Sequence, residues 1–223
     1  MSKLILLRHF QSQWNLENRF TGWVDVPLAK NIGEKVKEVS QKISVLKIDK
    51  IYSSNLFRNK DSVAKVLETE GKHLVFISLD KGKMRNWGGF SGKTDYVPVY
   101  VSDLLNERYY GQWQGRDKDE IKEEYGEEDF KLLRRSFSAR PPGGESLKDV
   151  SSRAVHFLKS FIERDLKEGK NVLAVVSHNC LRALAKHIEK ISDKDIADLE
   201  IDVGKAVIYE FDDLLTMTKK ESV

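Results

Sequence analysis

Lys3-Leu4-Ile5-Leu6-Leu7 is an apolar run that ends abruptly on Arg8-His9. A run this short reads as a strand, and one that is apolar at nearly every position has to be covered on both faces. A second run of the same kind, Asn171-Val172-Leu173-Ala174-Val175-Val176-Ser177, ends on His178. Between and around them helix and strand periods alternate. Val36, Val39, Ile43 and Leu46 stand at helical spacing over 33–46. Lys50-Ile51-Tyr52 reads as a short strand, Ser53-Ser54-Asn55 as a cap, and 56–70 as the helix that follows. A strand is expected at 74–79 and short helices at 117–125 and 127–137, with Arg140-Pro141-Pro142-Gly143-Gly144 as the break after them. From 145 to about 166 one long amphipathic helix carries Leu147, Val150, Ala154, Phe157, Leu158, Phe161 and Ile162 on one face. A helix at 180–188 and a strand at 206–211 complete the pattern. Alternating units of this kind predict an α/β protein, a three-layer α/β/α sandwich with a mostly parallel central sheet. The whole chain, 1–223, is expected to be one domain, with an excursion or hairpin around 80–103.

Composition narrows the function. The 223 residues are 40% hydrophobic and 33% charged with only 14 Gly and 4 Pro, which excludes a disordered or fibrous chain. Basic and acidic residues number 38 and 35, spread along the chain, so nucleic acid is not the expected partner. The longest apolar runs are too short to cross a bilayer, and Met1-Ser2-Lys3 leads straight into strand-like sequence without a signal-like apolar segment. A single cysteine, Cys180, excludes an internal disulfide framework. The expectation is a cytoplasmic protein with neither a membrane nor a nucleic-acid partner.

In open α/β sheets the ligand crevice lies off the carboxyl ends of the strands. Arg8-His9, the segment Ser53 to Arg58, and Ser177-His178 all fall just past expected strands, and Arg182 lies one helical turn beyond His178. Two imidazoles among several guanidinium groups make a site for a dianion, since arginine offers forked donors to phosphate oxygens. A neutral imidazole there carries a lone pair that can attack phosphorus. If arginines neutralise the transferring group, no metal is required.

Longer motifs sharpen this. Leu7-Arg8-His9-Phe10-Gln11-Ser12-Gln13-Trp14-Asn15 and Asn18-Arg19-Phe20-Thr21-Gly22-Trp23 resemble the amino-terminal signature of cofactor-dependent phosphoglycerate mutases, within the histidine phosphatase superfamily. Leu105-Asn106-Glu107-Arg108-Tyr109-Tyr110-Gly111, Arg134-Arg135-Ser136-Phe137 and Gly144-Glu145-Ser146-Leu147 extend the likeness over most of the chain. The resemblance implies His9 as the nucleophile that becomes phosphohistidine. It implies Arg8, Arg58 and His178 as holders of the phosphoryl oxygens, and Glu107 as general acid and base. Asn15, Thr21, Gly22, Arg108, Tyr110, Lys118, Arg134, Arg135 and Asn179 would bind the substrate. It further implies a small phosphorylated substrate (interconversion of 3-phosphoglycerate and 2-phosphoglycerate), 2,3-bisphosphoglycerate as primer, no metal, and a possible homo-oligomer. A histidine phosphatase acting on a small phosphorylated metabolite, or a catalytically weak phospholigand-binding relative, are the alternatives.

Four departures from the family pattern bear on those alternatives. Phe10 stands where the family has glycine, and its ring must point elsewhere or crowd the pocket. His178 is displaced by one residue in its motif, which in a strand would turn the side chain to the other face unless a bulge compensates. Asp117, before Lys118, puts an acid near an anion site. Cys180 reads as a buried small residue, Trp14, Trp23 and Trp113 as packing residues, and the tail around Lys219-Lys220-Glu221 as too brief for a tight lid.

Overall fold

The computed structural model describes residues 1–67, 73–80 and 95–222. Seven strands lie in one sheet among them: β1 (Ser2–Arg8), β2 (Lys50–Ser53), β3 (His73–Ser78), β4 (Tyr96–Val101), β5 (Val172–Val176), β6 (Ala206–Phe211) and β7 (Met217–Ser222). Their spatial order is β3-β4-β2-β5-β1-β6-β7. The pairings from β3 through to β1 are parallel, while β6 runs antiparallel to β1 and β7 antiparallel to β6. The described helices are α1 (Gln13–Leu16), α2 (Gly33–Ser44), α3 (Phe57–Leu67), α4 (Lys118–Tyr125), α5 (Glu127–Arg135), α6 (Leu147–Phe157), α7 (Glu163–Lys167) and α8 (His178–Glu189).

The apolar run that opens the chain is buried as its composition requires. Alternate residues face opposite layers. Leu4, Leu6, Val172, Ala174 and Val176 pack with Leu147, Val150, Phe157 and Leu181 from α6 and α8. Ile5, Leu7, Leu173 and Val175 pack with Val39 and Ile43 of α2 and Val63 and Val66 of α3. Each fully buried side chain of this kind contributes about 1.5–3 kcal/mol, so both helical layers are held by the same strands. A third, smaller cluster of Phe20, Trp113, Ile121 and Phe130 packs between α4 and α5 and carries them beside the sheet's carboxyl edge. Among the described residues no helix is long and apolar enough to cross a membrane.

The observed elements depart from expectation in six places. β4, within the expected 80–103 excursion, is a strand paired with both β3 and β2; Trp87 and Phe90 lie outside the described residues. The tail residues Lys219, Lys220 and Glu221 are part of β7, a strand whose residues are all exposed. The long helix starts at the Ser146 cap, whose hydroxyl and Asp149 form a reciprocal capping box. It is then interrupted by one π-helical turn, Leu158–Ile162, before α7. The wider turn keeps Leu158 and Ile162 buried on the same side as Phe157. Finally, α8 begins at His178 rather than at Cys180, and α5 stops at Arg135.

Candidate active site

Register places the chemistry. β1 and β5 run side by side with Arg8 opposite Val176, and the His9 N–H donates to the Val176 carbonyl at 3.1 Å. Ser53, at the end of β2, is level with Val175. The chain therefore leaves three adjacent strands at one edge, carrying His9, the helix with Arg58, and His178. One pocket there is lined by Arg8, His9, Asn15, Thr21, Gly22, Arg58, Glu107, Tyr110, Lys118, Arg134, Arg135, His178 and Asn179, all expected from sequence, and by Arg19 and Phe20, which were not. The space among their atoms, part of it open to solvent, is about 550 Å³.

The tautomer of His9 follows from one contact. Its Nδ1 lies 2.6 Å from the Phe10 carbonyl oxygen, which can only accept, so Nδ1 carries the hydrogen and Nε2 keeps the lone pair. Burial, then Arg58 and Arg8, hold the imidazole well below its ordinary pKa, so it is neutral at pH 7. Neutrality and a fixed tautomer are what a nitrogen nucleophile requires.

Phe10 does not crowd this site. Its ring is buried among the residues packed on α2 and α3, and its N–H donates to Ser62 Oγ at 3.0 Å. Gly204 makes room for it. A Cβ on Gly204 would stand 2.9 Å from the ring's Cδ1, and Gly204 has φ +66°.

His178 is not in a strand at all. β5 ends at Val176, Ser177 takes extended dihedrals as the cap of α8, and His178 is the first helical residue. The strand-face argument, and the bulge it invoked, therefore do not apply; helix geometry sets the direction of the side chain, and His178 lines the pocket. Ser177 stays in the interior and accepts from Asn59 Nδ2 at 2.9 Å. Burial, with Arg8, pulls the His178 pKa down to about 4 against the pull of Glu200.

Glu107 is nearly fully buried, and its Oε1 accepts from the Arg108 N–H (2.6 Å), the Asn179 N–H (3.2 Å) and Asn179 Nδ2 (3.0 Å). Burial raises its pKa, but Arg58, His178 and these hydrogen bonds outweigh that and leave it below the usual carboxylate value. Among the described residues no hydrogen bond reaches Oε2. Its backbone is anchored too: the Glu107 carbonyl accepts from Trp23 Nε1 and from Arg153 Nη2. Trp23 is therefore a positioning residue as well as a packing one. Arg153, missed in the sequence, also donates to the Leu104 and Asn106 carbonyls and pairs with Glu145.

Arg108 and Arg182 are corrected. Arg108, expected to bind substrate, is fully buried outside the pocket and donates to the carbonyls of Glu145, Leu133, Arg134 and Ala139. It joins α5 to the loop before α6. Arg182 likewise donates to Asn179 Oδ1 at 2.9 Å and to the carbonyls of Arg135 and Ile196, and so orients Asn179 from behind. Asp117 caps α4 instead of facing the anion site, its Oδ1 accepting from the Asp119 N–H at 2.7 Å. Asn15 has its Oδ1 tied to the Ser12 N–H, and Tyr110 accepts from Asn179 Nδ2 at 2.9 Å. The Gly22 carbonyl accepts from Arg58 Nη2 at 2.7 Å. Cys180 is buried, its thiol pushed up to about 12, and it remains protonated at neutral pH.

Six cationic side chains, Arg8, Arg19, Arg58, Lys118, Arg134 and Arg135, thus face a pocket whose lining contains one carboxylate. Burial, then Arg134 and Arg8, lower the Lys118 pKa, as expected for cations crowded around space meant for an anion. Thr21 Oγ1 and Arg8 Nε are buried and lack a hydrogen-bond partner among the described residues. Unpaired buried donors on residues that line a cationic pocket fit an anionic, oxygen-rich ligand.

A histidine beside converging arginines on an α/β/α sheet defines a class of phosphoryl-handling proteins. This chain belongs to the histidine phosphatase superfamily (branch 1), whose family model matches residues 4–97 and 89–217. It is 41% identical over 216 residues to a 2,3-bisphosphoglycerate-dependent phosphoglycerate mutase of Methanococcus vannielii, covering 96% of this chain and 92% of that one. Among solved structures it resembles Bacillus stearothermophilus YhfR (TM-score 0.75, 23% identity, 97% and 94% of the two chains covered). It also resembles a mycobacterial glucosyl-3-phosphoglycerate phosphatase complexed with VO3 (TM-score 0.73, 21% identity, 94% and 93% covered). These two likenesses concern the fold.

Proposed function

We propose that this chain is a phosphoglycerate mutase that interconverts 3-phosphoglycerate and 2-phosphoglycerate through phosphorylated His9. The observation that carries the reading is the neutral His9 with its lone pair at Nε2, in a pocket with more cations than one phosphate needs. Sequence identity to curated relatives with that name supports the same reading.

The chain's own residues have these roles. Nε2 of His9 forms a bond to phosphorus as the bond from phosphorus to the substrate oxygen breaks. Arg8, Arg58 and His178 hold the three non-bridging oxygens, and the two arginines balance their charge. Glu107 Oε2 delivers a proton to the departing oxygen, and takes one from the hydroxyl that attacks on return. Its carboxylate is ionised in the free site, and a phosphate dianion beside it raises its proton affinity, which readies it as the acid. Asn15 and Asn179 add neutral donors. Arg19, Lys118 and Arg134 hold the far anionic end, with Thr21 and Tyr110 between.

The primer fits the residues present, because the unpaired Thr21 Oγ1 and Arg8 Nε and the six cations suit a ligand with several anionic groups. Arg8, Arg58, Lys118 and Arg134 would hold 2,3-bisphosphoglycerate, which supplies the phosphoryl group that charges His9. An enolase-coupled assay with and without 2,3-bisphosphoglycerate tests the proposal. Isomerisation stimulated by the bisphosphate is the expected result. Release of inorganic phosphate without isomerisation would assign the chain to the phosphatases of this fold.

A further inference from the structure

Glu200 belongs to no recognised motif, yet it touches three of the pocket's groups. It lies between the 3₁₀ turn Asp195–Asp198 and β6, on a segment pinned by two pocket arginines. Arg135 Nε and Nη2 donate to the carbonyls of Ala197 (3.0 Å) and Leu199 (3.1 Å), and Arg8 Nη1 donates to the Ile201 carbonyl. The carboxylate between these anchors turns inward. Its Oε2 is 2.6 Å from Arg135 Nη1, and its Oε1 is 3.1 Å from His178 Nε2 and 4.0 Å from Arg8 Nη1.

Arg135 pairs closely with this carboxylate, but two features leave it displaceable from a place where an anion belongs. Its side chain is 52% exposed, against 12–15% for its three partners, so it enters from the solvent side and can swing out again. The His178 contact is close but poorly aligned, and Nε2 has no hydrogen bond among the described residues. Two carboxylate oxygens bridging a guanidinium and an imidazole occupy the arrangement that two phosphate oxygens would take.

We propose that Glu200 is an internal carboxylate that competes with incoming anions for His178, Arg8 and Arg135. Resting on the reading of the site given above, it regulates access of phosphate and phosphomonoester groups to these three side chains. A ligand with a second anion gains Arg19, Lys118 and Arg134 as well, but gains them with or without Glu200. Loss of the Glu200 charge therefore tightens ligands with one anion and with two alike.

The test is equilibrium binding of orthovanadate and of 3-phosphoglycerate to wild type, Glu200→Gln and Glu200→Asp. The glutamine variant keeps the shape and removes the charge. It should bind orthovanadate about tenfold more tightly, as expected for loss of a like charge some 4–6 Å away at a half-exposed site. Its affinity for 3-phosphoglycerate should rise by a similar factor, about tenfold. Glu200→Asp, which keeps the charge, should stay within about twofold of wild type for vanadate. Unchanged or weaker vanadate binding in Glu200→Gln would overturn the proposal, because a carboxylate that merely braces His178 would weaken anion binding when lost. Tightening of vanadate with unchanged or weaker binding of 3-phosphoglycerate would overturn competition with the substrate's phosphate. Should the glutamine variant fail to fold, Glu200→Ser is read by the same criteria. Vanadate binding involves no turnover, so the result stands whether the chain proves to be a mutase or a phosphatase.

Discussion

Gly204→Ala is expected to cost about 2–5 kcal/mol of stability, from two separable sources. Residue 204 has φ +66°, where a side chain costs roughly 1–2 kcal/mol. The new Cβ would also lie 2.9 Å from Phe10 Cδ1 and 3.1 Å from Lys35 Cγ, and overpacking of that kind costs roughly 1–3 kcal/mol. The Lys35 chain can move aside, whereas the buried Phe10 ring cannot move without shifting its neighbours. The strain reaches the site, because the Gly204 N–H donates to the carbonyls of Arg8 and His9 and the Phe10 carbonyl fixes the His9 tautomer. Urea unfolding followed by tryptophan fluorescence measures the loss, which corresponds to a fall in Tm of roughly 5–15 °C. A double-mutant cycle separates the sources: in a Phe10→Leu background the cost of Gly204→Ala should shrink by about 1 kcal/mol or more. A cost below about 1 kcal/mol, or the same cost in both backgrounds, would refute the pairing of ring and glycine.

Glu107→Gln should lower kcat by about 10²–10⁴ while orthovanadate affinity changes only a few-fold, since the amide keeps a hydrogen-bonding oxygen but cannot exchange the proton; unchanged turnover would remove Glu107 from proton transfer. Thr21→Val should leave the melting temperature nearly unchanged, as Thr21 Oγ1 has no hydrogen-bond partner among the described residues, and should raise the Kd for 3-phosphoglycerate several-fold. A large loss of stability with unaltered affinity would show that the hydroxyl faces protein. Acid should destabilise the fold through His178. An unfolded imidazole takes up its proton near pH 6.5, whereas the folded one resists until about 4, so the unfolded state binds more protons between those values. That difference is worth about 3 kcal/mol, and the unfolding free energy of His178→Asn should fall correspondingly less than that of wild type from pH 7 to pH 4. Parallel pH profiles would contradict the burial of this ring.

The layers were legible because strands buried on both faces have to be apolar throughout, as Leu4–Leu7 and Val172–Val176 are. β7 was missed for the complementary reason: every residue of this edge strand is exposed, so Lys219 and Lys220 leave no apolar period to read. β4 contains Pro98, which argues against an interior strand, and follows a glycine-rich polar stretch. In the site, motif residues reached the pocket except Arg108, whose guanidinium serves four backbone carbonyls instead. Nothing in a sequence separates an arginine that faces a ligand from one that ties loops together. Arg153 and Glu200 were invisible for a related reason, since their partners lie tens of residues away in the chain. His178 reaches the pocket as expected, but on a helix, because its strand ends at Val176 and the expected strand-face slip does not arise.

The central claim is that Nε2 of His9 takes up a phosphoryl group, and it is tested most directly by charging the protein with 2,3-bisphosphoglycerate and locating the label by ³¹P NMR and mass spectrometry. The account predicts an acid-labile, alkali-stable phosphohistidine on His9, bonded through Nε2 and missing from His9→Ala. An unlabelled wild-type protein, a label on Nδ1, or one that persists in His9→Ala would contradict it.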